Sequence, residues 1–288
     1  MPAMRAGDGA AGLIARAIVG DREVAIDLAQ PIDLAIPLEF DGPQPRHFGA
    51  PPARSQAFVT GRFEGDVARG ASCNCRTITL TPHCNGTHTE GVGHLTREPL
   101  DAHRLVPRGL LAALLLSVEP EAAYTTSESS DPFPHSADPL ITQHALLGAW
   151  ARVTRASGLP LDPQALVVRT LPNDPAKRTR DHTHAVAPYF SREAMEGVVS
   201  RGIEHLVLDT PSLDRTHDEG RLTAHRLFFG LPPASRSSAD ARRAHCTVTE
   251  LAYVPDAAPD GAYLLALHVP ALGGDAVPSR PLLYRLLA

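Results

Sequence analysis

Apolar residues along the chain fall into short runs, many of them β-branched, separated by proline- and glycine-rich stretches, and only three segments carry helical spacing. Val24-Ala25-Ile26-Asp27-Leu28 predicts a short strand. Pro31, Pro37, Pro43, Pro45, Pro51 and Pro52 then impose an extended path, because proline lacks the N–H that a helix needs. Thr77-Ile78-Thr79-Leu80-Thr81 predicts a strand leading directly into the polar cluster 82–90, at a strand end and turn. Residues 109–118 are nearly all apolar and fit a buried strand or a buried helix equally, so they are core in either case.

Residues 121–139, rich in Ser, Thr, Asp and Pro, predict a surface excursion. Leu146, Leu147, Trp150 and Val153 give 141–157 the period of an amphipathic helix, stopped by Gly158. A buried strand at 165–169 and a polar loop at 173–184 follow. Ser191 caps a helix reaching about residue 200, with Glu193 in its first turn and Gly202 beyond its end. A strand at 205–209 and a short helix at 222–229, ended by Gly230, complete an α/β unit. Strands at 246–253, 262–269 and 282–287, with turns at 254–261 and 273–280, make a β-rich finish. These elements predict one domain over 21–288, preceded by a partly ordered leader at 1–20.

Composition narrows the partners. Apolar residues are 43% and charged residues 20% of the 288, enough apolar surface to offset the entropy of ordering the chain. The net charge of −5 comes with no long basic run, which argues against nucleic acid and for a small-molecule substrate. No apolar run reaches the roughly 18 residues of a membrane span. Arg5, Asp8 and Arg16 interrupt any signal-peptide core, so a cytoplasmic protein is expected. The cysteines are expected to be reduced, and Cys73, Cys75 and Cys84 lie beside the densest histidine cluster, which favours metal chemistry over disulfides.

That cluster, His83-Cys84-Asn85-Gly86-Thr87-His88-Thr89-Glu90-Gly91-Val92-Gly93-His94, offers a thiol, a carboxylate and three imidazoles. This mixture suits Zn²⁺ or another first-row divalent ion. In an extended chain alternate residues face the same way, so Cys84, His88 and Glu90 share a side. A register slip of one residue would bring His83 into the place of Cys84. Gly86 and Gly91 supply the freedom to bend the segment around an ion.

Gly86-Thr87-His88-Thr89-Glu90, with His94 four residues on, resembles the signature of the cyclase family of metal-dependent hydrolases, His-x-Gly-Thr-His-x-Asp-x-Pro-x-His. Cys84 stands where the family has its first histidine, Glu90 where it has aspartate and Val92 where it has proline. Other stretches resemble family landmarks in the same order: Ile26-Asp27-Leu28-Ala29-Gln30-Pro31-Ile32, Leu166-Val167-Val168-Arg169-Thr170, Leu208-Asp209-Thr210-Pro211-Ser212-Leu213-Asp214, Ala224-His225-Arg226-Leu227-Phe228 and Thr249-Glu250-Leu251. The resemblance runs from about 24 to 282, with an enlarged middle at about 96–161.

It implies an α/β domain, a mixed β-sheet core or flattened barrel flanked by helices, assembled as a homodimer or homotetramer. It also implies one or two ions, Zn²⁺ with Mn²⁺ as the alternative. Cys84, His88 and Glu90 would hold the first, while Glu90 as a bridge with His94 and Glu250 would hold the second. His225 would pass protons beside the activated water, with His94 in the same catalytic set, and His47 and Phe48 would contact substrate. The implied reaction is hydrolysis of N-formylkynurenine or a similar aryl amide, with lactonase and isatin-type amidase activities as alternatives. A metal-binding relative without catalysis, or a closed structural zinc site, are the non-enzymatic readings. Asp209, Ser212 and Asp214 are expected to shape a turn through their own hydrogen bonds.

Overall fold

Four parallel strands form the centre of an eleven-stranded mixed sheet, and their near-continuous apolar sequences reflect burial on both faces. The computed structural model describes residues 12–157 and 162–287, so most of the expected leader and Gly158 lie outside the described residues. Numbered within this sheet alone, the strands are β1 (Ile14–Val19), β2 (Arg22–Asp27), β3 (Ile32–Asp33), β4 (His88–Glu90), β5 (Leu111–Val118) and β6 (Ala165–Thr170). The remainder are β7 (His205–Leu208), β8 (Thr247–Glu250), β9 (Gly261–His268), β10 (Ala276–Pro278) and β11 (Arg280–Leu287). They lie in the order β1-β2-β11-β9-β5-β6-β7-β8-β4-β10, with β3 beside β11. Strands β5 to β8 are parallel; β9 on one side and β4 on the other run antiparallel to them, and β10 pairs antiparallel with β4.

Side chains alternate across a strand, so each central strand feeds two cores. Leu114, Leu116, Leu166, Val168, Leu206, Leu208 and Val248 face three helices, α1 (Gln143–Ser157), α2 (Arg192–Ser200) and α3 (Thr223–Phe229). The helices return Leu146 and Val153, Met195 and Val198, and Phe228 and Phe229. The intervening residues Ala113, Leu115, Val167 and Val207 meet Leu34, Val254, Tyr263, Leu265 and Leu283 on the other face. Burial on both faces resolves the stretch 109–118 as strand despite its Leu and Ala content. Ser191 caps α2 by accepting from the Ala194 N–H, and Gly230 ends α3 at φ 63°, as the sequence predicts.

Three expectations give way. The leader ends earlier than residue 20, because Ile14–Val19 is a strand paired with β2. Its inward residues Ala15, Ala17 and Val19 are mostly small, so the alternation is faint in sequence. The turn expected at 273–280 contains β10, too short to show a period. The strand expected at 77–81 is Arg76–Thr79, and it pairs with Arg54–Ala57 in a separate exposed ribbon rather than in the main sheet. No helix among the described residues is long and apolar enough to cross a membrane.

His205 opens β7 with its ring buried and its Nδ1 2.8 Å from Thr247 Oγ1 on β8. Burial drives its pKa down from 6.5 to about 4. The unfolded chain therefore binds the proton first, so the stabilisation is complete above pH 6.5 and is lost as pH falls toward 4. The drop corresponds to at most about 3 kcal/mol. Chemical denaturation across this window is expected to show a pH slope that His205→Gln reduces; an unchanged slope would locate the titrating groups elsewhere.

Candidate metal centre

The candidate centre sits where the carboxyl ends of the parallel strands meet the antiparallel strand β4, the edge at which open α/β sheets place their ligands. The β4–β8 ladder sets His88 opposite Glu250 and Glu90 opposite Val248. Residues two apart in a strand share a face, so the His88, Glu90 and Glu250 side chains project together. On the reverse face the Thr89 and Thr249 hydroxyls meet at 2.7 Å and tie the ladder. Gly86, at φ 79°, turns the chain into β4, and its carbonyl accepts from His88 Nδ1 at 3.1 Å, which leaves Nε2 as the free ring atom. Leu251, directly after Glu250, adopts φ 52°, a left-handed conformation that costs an L-residue about 1–2 kcal/mol. The Leu251 N–H donates to the Thr210 carbonyl, and Thr87 Oγ1 donates to the Leu251 carbonyl at 2.6 Å.

Two groups of three ligand-type side chains stand side by side. His88, Glu90 and Glu250 form the first, fully buried; His83, His94 and Asp275 form the second, half-exposed. Glu90 links them, with Oε2 3.4 Å from His83 Nε2 and Oε1 2.8 Å from His225 Nε2. His225 Nε2 also lies 3.5 Å from Glu250 Oε1, and His88 Nε2 lies 3.5 Å from Glu250 Oε2. In the second group His83 Nε2 and His94 Nδ1 lie 3.0 and 3.5 Å from Asp275 Oδ2. Supports surround both groups. Asp214 Oδ2 accepts from His225 Nδ1 at 2.7 Å, and its carboxylate also accepts the Ala224 and His225 backbone N–H groups. The Leu213 N–H holds Glu250 Oε1 at 2.9 Å.

The short contacts are not ordinary hydrogen bonds. Glu90 Oε1 and the Nε2 atoms of His83, His88 and His225 are buried without a partner at hydrogen-bonding angles. Buried polar atoms are rarely left so, and these converge on one volume. With Nδ1 of His88 and of His225 committed to an acceptor, the Nε2 lone pairs face carboxylates, an arrangement that is repulsive unless a proton or a cation lies between. The electrostatics agree. Burial works against the charged forms of His88 and His225, yet the neighbouring Glu250 and Glu90 carboxylates raise both pKa values. Burial likewise opposes the charged forms of Glu90 and Glu250, and the adjacent imidazoles nevertheless hold both carboxyls below the usual range. Imidazole nitrogens and carboxylate oxygens in this number fit a divalent first-row ion.

Five residues marked in the sequence, His88, Glu90, His94, Glu250 and His225, come together. Cys84 belongs to neither group of mutually close ligand atoms, although burial and the nearby Glu250 carboxylate both raise its thiol pKa. Pro82–Cys84 forms a 3₁₀ turn rather than a strand end, so the alternation that pairs Cys84 with His88 does not operate, and His83 faces Glu90 instead. Asp275 has no signal in sequence beyond a Gly-Gly-Asp turn; it reaches the site because Ala276 of β10 pairs with Glu90. Asp214 has the turn-building bonds expected of it and the His225 contact besides. Asp209 lies deeper, accepting from the Thr170 N–H and from Lys177 Nζ at 2.8 Å. His47 is buried with both ring nitrogens unpartnered, and burial takes its pKa to about 4 against the pull of Glu250. Its neighbour Phe48 is 61% exposed.

The Cyclase family profile matches residues 26–215, more than half of the chain. No curated protein matches it. Among solved structures, isatin hydrolase A from Ralstonia solanacearum is 16% identical, with a TM-score of 0.57 over 88% of this chain and 91% of its own. An isatin hydrolase bound to the product analogue thioisatinate is 15% identical, with a TM-score of 0.56 over 90% of this chain and 93% of its own. A protein from Bacillus stearothermophilus described as a predicted metal-dependent hydrolase is 15% identical, with a TM-score of 0.53 over 88% of this chain and 98% of its own. At these identities the likeness is one of fold, and it extends to the mixed sheet with few helices. The chain belongs to the Cyclase family.

Proposed function

We propose that this chain is a metal-dependent hydrolase that cleaves the C–N bond of an aryl formamide or cyclic amide, with N-formylkynurenine as the nearest substrate. The observation that carries the reading is the convergence of unpartnered buried atoms from His88, Glu90 and His225 beside Glu250. Three separate stretches of chain supply them, and a structural role would leave them paired with each other. The isatin hydrolases that share the fold act on a cyclic amide, which supports that arm of the proposal.

His88, Glu90 and Glu250 would hold one ion, with His225 Nε2 as a further donor. His83, His94 and Asp275 would hold a second, with Glu90 between them. A bound divalent ion supplies Lewis acidity, acidifying water and polarising a carbonyl. Asp214 fixes the ring and tautomer of His225, a carboxylate–histidine pairing characteristic of ligating histidines. With Nδ1–H held there, Nε2 is the ring atom turned to the site, where it could ligate or hold a proton. With a single ion bound, His94, whose ring is 29% exposed at the rim and faces Asp275, would be free to deliver a proton to the leaving nitrogen. His47, neutral and unpartnered, offers one N–H and one lone pair to an amide. Without Cys84 the preference for Zn²⁺ that a thiolate would confer disappears, and nitrogen and oxygen donors suit Mn²⁺ as well.

Equilibrium dialysis with metal analysis is expected to give one or two ions per chain, retained in Cys84→Ser and reduced in His83→Ala. Loss in Cys84→Ser with His83→Ala unaffected would return the thiol to the site. Asp214→Asn should lower kcat/KM by about 10–100-fold, the usual effect of removing a carboxylate behind a ligating histidine. His88→Ala should cost more, and chelation should abolish turnover. Turnover is measured on N-formylkynurenine, isatin and a simple lactone. Full metal content with no turnover on any of them would leave a metal-binding protein without catalysis.

A further inference from the structure

Helix α3 carries a second feature one residue from His225. A cavity of about 290 Å³ is lined by Arg192, Arg221, Arg226 and Arg236, together with Asp131 and Thr223. Four guanidinium groups thus face one carboxylate on a chain whose formal charge is −5. Neutralisation from within the fold is slight. The side chains of Arg192 and Arg236 make no hydrogen bond or ion pair among the described residues, and Asp131 pairs with none of the four. Among the described residues the one ion pair of Arg221 is with Glu219, at 3.7 Å.

Arg226 is the fixed member. It is 8% exposed, and three carbonyls clamp its fork: Nε donates to Arg221 O at 3.1 Å, and Nη1 donates to Pro232 O at 3.0 Å and Ser235 O at 2.9 Å. Nη2 makes no hydrogen bond among the described residues. Arg192 sits in the first turn of α2, where the helix dipole disfavours a cation. A concentration of cations placed against the local electrostatics is relieved by a bound anion, and the planar guanidinium fork matches the oxygens of phosphate and carboxylate.

We propose that this cavity binds the phosphate or carboxylate group of a small organic molecule, at a site separate from the metal centre. The volume exceeds that of a bare oxyanion, which leaves room for the organic part. The proposal does not depend on the hydrolase reading.

Isothermal titration of the metal-loaded protein with inorganic phosphate, glycerol 3-phosphate and succinate tests it, each titration being repeated after chelation. At least one probe is expected to bind, to keep its affinity after chelation, and to weaken by at least about tenfold in the Arg192→Gln/Arg236→Gln double variant. The corresponding double lysine variant should recover part of the affinity. Neither arginine side chain holds the fold together, and an unchanged melting temperature of the double variant confirms that. Tighter binding of the phosphates assigns phosphate as the group recognised, and tighter binding of succinate assigns carboxylate. Failure of all three probes to bind, equal binding by the double variant, or binding that vanishes on chelation would each overturn the proposal.

Discussion

Two carboxylates buried against each other set the terms for one end of this molecule. Glu90 and Glu250 are 1% and 4% exposed and share the same imidazole, His225. Desolvating an ionised carboxylate costs several kcal/mol even after relaxation, and two neighbouring anions add repulsion. The surroundings answer with positive or donating groups: His88 and His225 beside both, the Leu213 N–H on Glu250, and Asp214 behind His225 to orient it. Protein groups alone leave Glu90 Oε1 and three imidazole nitrogens without partners, and a cation among them would complete the arrangement.

The fold builds this arrangement from its most rigid parts. The β4–β8 ladder fixes His88, Glu90 and Glu250 by register, and β10 brings Asp275 alongside. The loop after β7 supplies Leu213 and Asp214, and α3 supplies His225. Two of the four non-glycine residues with positive φ among the described residues lie at the same place, Leu251 behind Glu250 and Leu222 just before α3. The neighbouring buried network of Thr170, Lys177 and Asp209 braces the ends of β6 and β7, so two adjacent strands reach the site with their loops tied down.

The strands and helices with strong local patterns were legible in sequence: β6, β7 and α2 with its Ser191 cap follow from periodicity and capping alone. β1 and β10 were not, since one presents alanines to its core and the other is only three residues long. The centre divides similarly. The ligand-type residues on regular strands, His88, Glu90 and Glu250, have their directions set by alternation and by a resemblance to known relatives. Cys84 and His83 lie in a 3₁₀ turn where alternation is meaningless, so only the folded chain distinguishes them. Asp275 depends on a long-range pairing between β10 and β4 that no local pattern encodes. The arginine cavity gathers residues from the loop at Asp131, from α2, from α3 and from the loop that follows it, and is invisible along the chain for the same reason.

Anomalous diffraction at a metal absorption edge, from crystals soaked in Mn²⁺ or Zn²⁺, addresses the central claim most directly. The expected result is a peak within coordination distance of His88 Nε2, Glu90 and Glu250, with Cys84 Sγ outside its shell. An empty volume among these atoms at saturating metal, or a peak centred on Cys84, would contradict it.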